Sequence, residues 1–196
     1  MFICLITMMV TYAFKLQHEG WWFVSVPHGK EIGEFEGIKA FSHNSRIRGT
    51  YGMEFQCVEF VNRFYATKLG HRNMTMTGHA DSYFFQAQDK GLVPYPNGGQ
   101  EPPQKYDILI FDGGPKDGNP GHVGIISRVN LAKGEVEIIQ QNVRVLRSYG
   151  LFQKPVPIAT HSLVKQKGGS WFIQSGTTVN LPVVGWSRRP TTKENL

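Results

Sequence analysis

The sequence predicts an α+β domain in which helices come first and a mostly antiparallel sheet follows. Two observations carry that prediction. Apolar residues recur at helical spacing between Glu54 and Leu69. Beyond Tyr106 the chain changes to short apolar or alternating runs parted by Gly-, Asn- and Pro-rich turns, the pattern of strands joined by hairpins. A length of 196 residues suits one domain with its own core.

The first 14 residues, MFICLITMMVTYAF, are apolar and end near the small residue Ala13, which suits a leader segment directing export. No Lys or Arg precedes Lys15, so the basic start of such a leader is missing, and a buried helix or strand is the other reading. Export would place the chain in a secreted or periplasmic setting, with a cytoplasmic one as the alternative. Residues 21–188 form the expected domain, and 189–196 a polar, frayed tail.

Within the domain, Trp21–Ser42 reads as an irregular lead-in with one short strand around Gly37–Phe41. Glu54–Leu69 (EFQCVEFVNRFYATKL) is a helix whose stripe is Phe55, Val58, Phe60, Val61, Phe64, Tyr65 and Leu69, stopped by Gly70. A second helix is expected over about His79–Asp89, ended by Lys90-Gly91. YPNGGQEPPQ is a connector, Tyr106–Phe111 a strand, and DGGPKDGNPG a glycine-rich loop. His122–Val129 and Glu135–Gln141 make a hairpin, with further strands around Tyr149–Phe152, Trp171–Gln174 and Val183–Ser187.

The net charge of +6 favours an anionic partner but does not separate nucleic acid from lipid or cell-wall polymer. Aromatics lack an interleaved basic platform, so specific nucleic-acid binding is not expected. No apolar run reaches the roughly 20 residues of a spanning helix, so stable membrane insertion is not expected either. The 2 cysteines, Cys4 and Cys57, exclude a framework of several bridges and a four-cysteine zinc site.

Cys57 sits near the start of the first predicted helix, where the macrodipole and free N–H groups favour a thiolate and can hold an oxyanion. His122 opens a strand after a flexible loop, at a sheet edge suited to a base. Gln140, Gln141 and Asn142 stand at the end of the partner strand, where a neutral amide can orient the imidazole. Against this, an isolated cysteine on an apolar helix is usually packing, and an isolated histidine a satisfied polar residue. The order of cysteine helix, histidine strand and amide strand raises the joint case.

GMEFQCVEFVNRFY, YDILIFDGGPKDGNPGHVGII and EVEIIQQNV resemble the CHAP family of cysteine, histidine-dependent amidohydrolases/peptidases. Within that family the likeness is strongest to the amidase domain of glutathionylspermidine synthetase/amidase, extending through GIKAFSHNS, PNGG and VVGW. The resemblance implies a papain-like CHAP fold with N-terminal helices packed on the sheet. It implies Cys57 as nucleophile and His122 as general base, with Gln56 bordering the oxyanion site beside the Cys57 backbone N–H. The family commonly carries Glu, then Asn two residues on, where this chain has Gln140 and Asn142. A neutral Gln orients an imidazole without adding charge, so His122 is expected to hold its proton less firmly. Asn62-Arg63 stand where the likened amidase has two basic residues, leaving Arg63 as a candidate substrate contact.

The expected activity is hydrolysis of an amide bond through a thioester, in peptidoglycan peptides. The alternatives are a glutathione–polyamine conjugate as substrate, or a catalytically silent module that binds cell-wall polymer. No cofactor is expected. Asp112, Asp117 and Asn119 lack the ligand alternation and terminal Glu of an EF-hand, so no metal is expected either. His71, His79 and His161 lack ligand spacing and read as surface or hydrogen-bonded residues, and Arg144, Arg147 and Lys154 as a solvated basic face.

Overall fold

The computed structural model describes residues 2–72, 74, 78–114 and 119–190, with side chains described from Val10 onward. It opens with α1 (Phe2–His18), followed by β1 (Trp22–Phe23), the hairpin β2 (Glu31–Phe35) and β3 (Ile38–Phe41), and the ribbon β4 (Arg48–Gly49) and β5 (Gly52–Met53). Then come α2 (Cys57–Lys68), α3 (Ser82–Phe85), a 3₁₀ turn at Gln88–Lys90, β6 (Val93–Pro96) and β7 (Ile108–Phe111). The rest is strand: β8 (His122–Asn130), β9 (Glu135–Ile139), β10 (Arg144–Arg147), β11 (Phe152–Pro155), β12 (Ile158–Lys165), β13 (Trp171–Ile173) and β14 (Val183–Arg188).

Seven strands form one sheet in the order β13-β12-β9-β8-β7-β14-β6, every neighbouring pair antiparallel. β7 explains how both faces are covered. Its ILIF run is buried throughout, with Ile108 and Ile110 on one face and Leu109 and Phe111 on the other. The first face packs on Phe60, Val61, Phe64 and Tyr65 of α2. The second meets Val136, Ile138, Leu163 and Trp186. Helices are thus confined to the front of the chain and the large sheet follows, an α+β architecture as the patterning predicts.

α2 starts three residues later than its apolar stripe suggests, because Phe55 takes a left-handed φ of 60° and Gln56 is extended as the N-cap. The second helix is shorter than expected. The chain turns through α3 and the 3₁₀ segment, and Gly91, at φ 66°, closes it as a left-handed cap. Among the described residues seven strands escape the sequence reading, the short β1, β2, β4 and β5 together with β6, β10 and β12, and β11 begins only where the strand expected over Tyr149–Phe152 ends. β6 lies at a sheet edge, where its two prolines are tolerated. β10 is mostly exposed and pairs only with β11 in a separate three-stranded sheet with β1. β12 alternates buried and exposed along IATHSLVK, but its inward set includes Ala159 and His161, which weakens the apolar signal.

Asp107, almost fully buried, receives a two-pronged contact from Arg188 at 2.8 and 2.9 Å and the Gln104 N–H at 2.8 Å, tying β14 to the start of β7. At the expected tail, the Arg189 guanidinium donates to the Leu69 carbonyl, so the chain is still anchored there. The rest of the tail, 191–196, lies outside the described residues.

Candidate active site

Cys57 is the first residue of α2 and is 8% exposed. Backbone N–H groups of Val123, Val58 and Cys57 itself approach its sulfur and favour the thiolate. Burial outweighs them and pushes the thiol up from its ordinary value, the opposite of what the helix start alone suggests. The resting sulfur is therefore a protonated thiol. It packs in the apolar cluster on the α2 face, with Val123 beside it on β8.

His122 opens β8 and is 7% exposed. Its Nε2 lies 2.9 Å from Gln140 Oε1. Gln140 is fully buried and its Nε2 donates to the Val156 carbonyl at 3.0 Å, which turns the amide oxygen toward the imidazole. His122 Nε2 must then carry the hydrogen, leaving the Nδ1 lone pair as the basic site. Desolvation holds the His122 imidazole down at about 4, with the Gln140 contact opposing that shift and His161 adding to it. Asn142, the other candidate orienter, is exposed at a left-handed φ of 61° and makes no described contact with His122. Gln140 is the partner.

Adjacent residues of the partner strand thus serve opposite faces. Gln141 turns toward α2: its Nε2 donates to the Gln56 carbonyl at 3.2 Å and to Glu59 Oε2 at 3.1 Å. Its Oε1 accepts from the Phe41 N–H at 2.7 Å and Arg63 at 3.1 Å. His122 stands directly opposite Phe111, on the other face, with ring centres 5.8 Å apart. Cys57 and His122 therefore meet the end of β8 from its two sides, and no hydrogen bond joins thiol to imidazole among the described contacts. Gly124, on the His122 side, is closely packed: a Cβ there would lie 2.9 Å from Ile138 Cδ1 and 3.2 Å from the Ile139 carbonyl oxygen.

The remaining candidates separate. Gln56 caps α2 without a side-chain cap bond, and its amide Nε2 lies 3.4 Å from His43 Nε2. His43 in turn faces the Glu54 carbonyl through Nδ1 at 2.8 Å. Arg63 is committed to the framework, bound to Glu59 at 2.6 Å and the Lys39 carbonyl at 2.9 Å and stacked over Phe41 and Phe60. Asn62 bonds Tyr83 and the Tyr51 carbonyl, and lines a cavity of about 540 Å³ with Tyr51, Ala66, His71 and Arg72.

Two site residues stand outside the sequence reading. His43 lies within the GIKAFSHNS stretch but has no role in that reading, because its partners, Glu54 and Gln56, stand in the turn that leads into α2. His161 was expected at the surface or hydrogen-bonded. It is not at the surface but buried, its ring tilted 46° to that of Phe111 at 5.3 Å and approached by the Gln174 backbone. Its inward place on β12 gives this away only once that strand is known. His71 does bond the Lys90 carbonyl at 2.8 Å, and His79 is exposed. Of the loop carboxylates, Asp112 accepts the Gly114 N–H at 2.9 Å, and Asp117 lies outside the described residues. Among the described residues no His, Cys, Asp and Glu group could hold a metal.

No curated protein matches the chain. Among solved structures it is similar to an N-acetylmuramoyl-L-alanine amidase from Staphylococcus aureus, at 17% identity and a TM-score of 0.35, over 61% of this chain and 30% of that one. It is also similar to the endolysin LysIME-EF1, at 21% identity and a TM-score of 0.38, over 64% of this chain and 53% of that one. The chain thus spans well under two thirds of the length of either. The family model of the CHAP domain matches residues 47–142, a stretch holding Cys57, His122, Gln140 and Asn142. The chain carries a domain of the CHAP family.

Proposed function

We propose that this protein is a cysteine-dependent amidohydrolase of peptidoglycan, working outside the cytoplasm where that polymer lies. The observation that carries the reading is the His122–Gln140 bond, which frees Nδ1 as a base on the strand whose next N–H faces the Cys57 sulfur. Nδ1 takes the Cys57 proton, and the thiolate forms a bond to the amide carbonyl carbon. The negative oxygen is met by the Cys57 N–H, with the Gln56 amide at its border. The imidazolium returns its proton to the leaving nitrogen as the carbon–nitrogen bond breaks. Water then attacks the thioester, its proton passing through His122 to the departing sulfur, and an acid is released. In the resting arrangement thiol and imidazole are both neutral and not bonded, so substrate must bring them together at the end of β8. A net charge of +6 suits an anionic wall polymer.

One observation favours a silent wall-binding module instead: the buried, protonated thiol lacks a bond to His122. Incubating the protein with purified sacculi and mapping released fragments by mass spectrometry separates the two. New amide ends in the wild type and none in Cys57→Ala support the hydrolase. Equal sacculus binding by both, with no fragments from either, supports the binder. A glutathionylspermidine assay run beside it tests the conjugate as substrate.

A further inference from the structure

A lobe away from Cys57 combines exposed apolar side chains with a one-sided charge. β1, β11 and β10 form their own small sheet, and α1 packs on it, burying Leu16. Phe152 joins the pieces, with its ring 6.4 Å from Tyr12 of α1 and 5.6 Å from Phe23 of β1. The tip of the β10–β11 hairpin is held out by two left-handed residues, Ser148 and Tyr149. Beside it the Val24 N–H donates to the Leu151 carbonyl at 2.8 Å, so the end of β1 and the hairpin tip form one surface. On that surface Tyr149 is fully exposed, Phe23 is 65% exposed and Leu151 52%, and Phe14 of α1 is 66% exposed. This is far more apolar exposure than scattered single residues give.

The charges of the same segments point one way. Lys15, Arg144, Arg147 and Lys154 belong to residues 10–26 and 143–157, and Glu19 is the only carboxylate there. Arg147 leans over the Trp21 ring at 5.8 Å, an aromatic–basic pairing at the margin of the apolar tip. The exposed rings of Phe14, Phe23 and Tyr149 are mixed with the aliphatic Val24, Leu146 and Leu151, which offer a sugar neither a flat face nor a hydrogen bond but suit an acyl-chain boundary. Apolar tips ringed by Lys and Arg suit the headgroup layer of an anionic bilayer. Among the described residues no helix is long and apolar enough to cross a membrane.

We propose that the β10–β11 hairpin tip, the end of β1 and α1 form a docking face for the surface of a bilayer rich in anionic lipid. The proposal does not depend on hydrolysis. The test is co-sedimentation of the full chain with vesicles of phosphatidylcholine, alone or mixed with phosphatidylglycerol. Binding is expected to the mixed vesicles, to weaken as salt rises, and to be much poorer on the neutral ones. Tyr149→Ser combined with Leu151→Ser should lower the partition about tenfold on both lipids, by removing inserted apolar area. Arg147→Glu should lower it about tenfold on the mixed vesicles only. Both sites are at the surface, so thermal melts matching the wild type show that these variants are folded. No binding to mixed vesicles, or binding that the hairpin variants leave unchanged, overturns the proposal. So does a dimer in sedimentation that the same variants dissolve, because a second copy would then cover the face.

Discussion

Replacing Gln140 by Glu puts a carboxylate where the amide oxygen now faces His122 Nε2 at 2.9 Å. In the wild type, burial holds the imidazole at about 4 against an ordinary 6.5. Between those values the unfolded chain binds a proton at this position that the folded chain refuses. Folding stability from His122 is therefore complete above about pH 6.5 and falls as pH drops toward 4, by about 3 kcal/mol in all. Two opposite charges about 4 Å apart at an effective dielectric of 20 attract by about 4 kcal/mol. Part of that is lost to desolvating the new carboxylate, so the His122 midpoint should rise by about 2 pH units in Gln140→Glu. The acid loss of stability should shrink accordingly. At pH 8, where His122 is neutral, the carboxylate is buried without a cation and faces the Val156 carbonyl, which now accepts from Gln140 at 3.0 Å. The variant should melt lower than the wild type at pH 8 and approach it near pH 5.5. NMR titration of the His122 ring gives the midpoint, and melts at the two pH values give the stability. A midpoint within half a unit of the wild type would refute the assignment of Gln140 as the group that governs this histidine.

Cys57→Ala should abolish amide hydrolysis and leave the melting temperature nearly unchanged, since it removes one buried sulfur; release of sacculus fragments and circular dichroism check this. Because burial raises the thiol, iodoacetamide should label Cys57 more slowly than a free thiol at pH 7 in the folded protein, and quickly after unfolding in urea. Gln141→Leu leaves the Phe41 N–H and the Gln56 carbonyl without this partner, while Glu59 keeps its ion pair with Arg63, and should cost about 2 kcal/mol in denaturant unfolding. His161→Phe removes a buried imidazole that the Gln174 backbone approaches, and with it a repulsion felt by His122, so it should change stability little and move the His122 NMR midpoint upward.

Much of the site is written in local sequence. Cys57 at a helix start and His122 at a strand start follow from apolar periodicity and from the Gly-Asn-Pro-Gly loop, because both are decided by neighbours in the chain. The choice between Gln140 and Asn142 is not local. It depends on the alternation of β9 continuing one residue past its last pair and on Val156 arriving to fix the amide. The role of Arg63 was hidden for the same reason: Lys39 and Gln141, which occupy it, come from distant segments. Strand β12 escaped because a buried histidine and alanine replace the branched residues that usually announce an inward face. The titration of Cys57 reversed because a helix-end dipole is a local property, whereas burial belongs to the finished core.

The position of β14 between β7 and β6 sets the order in which the molecule can be made. During synthesis, α2 and the β8–β9 hairpin emerge while the slot beside β7 is still empty, leaving Leu109 and Phe111 without the Trp186 that covers them. Ser187 then closes the link to the front of the domain, its hydroxyl donating to the Tyr83 carbonyl at 2.7 Å. Such distant pairings are closed slowly, since the intervening chain must first be confined. A nascent chain halted before Val183 would expose the bare edge of β7 to any other strand. Chaperone dependence and aggregation should therefore concentrate in the interval before residues 183–188 clear the ribosome.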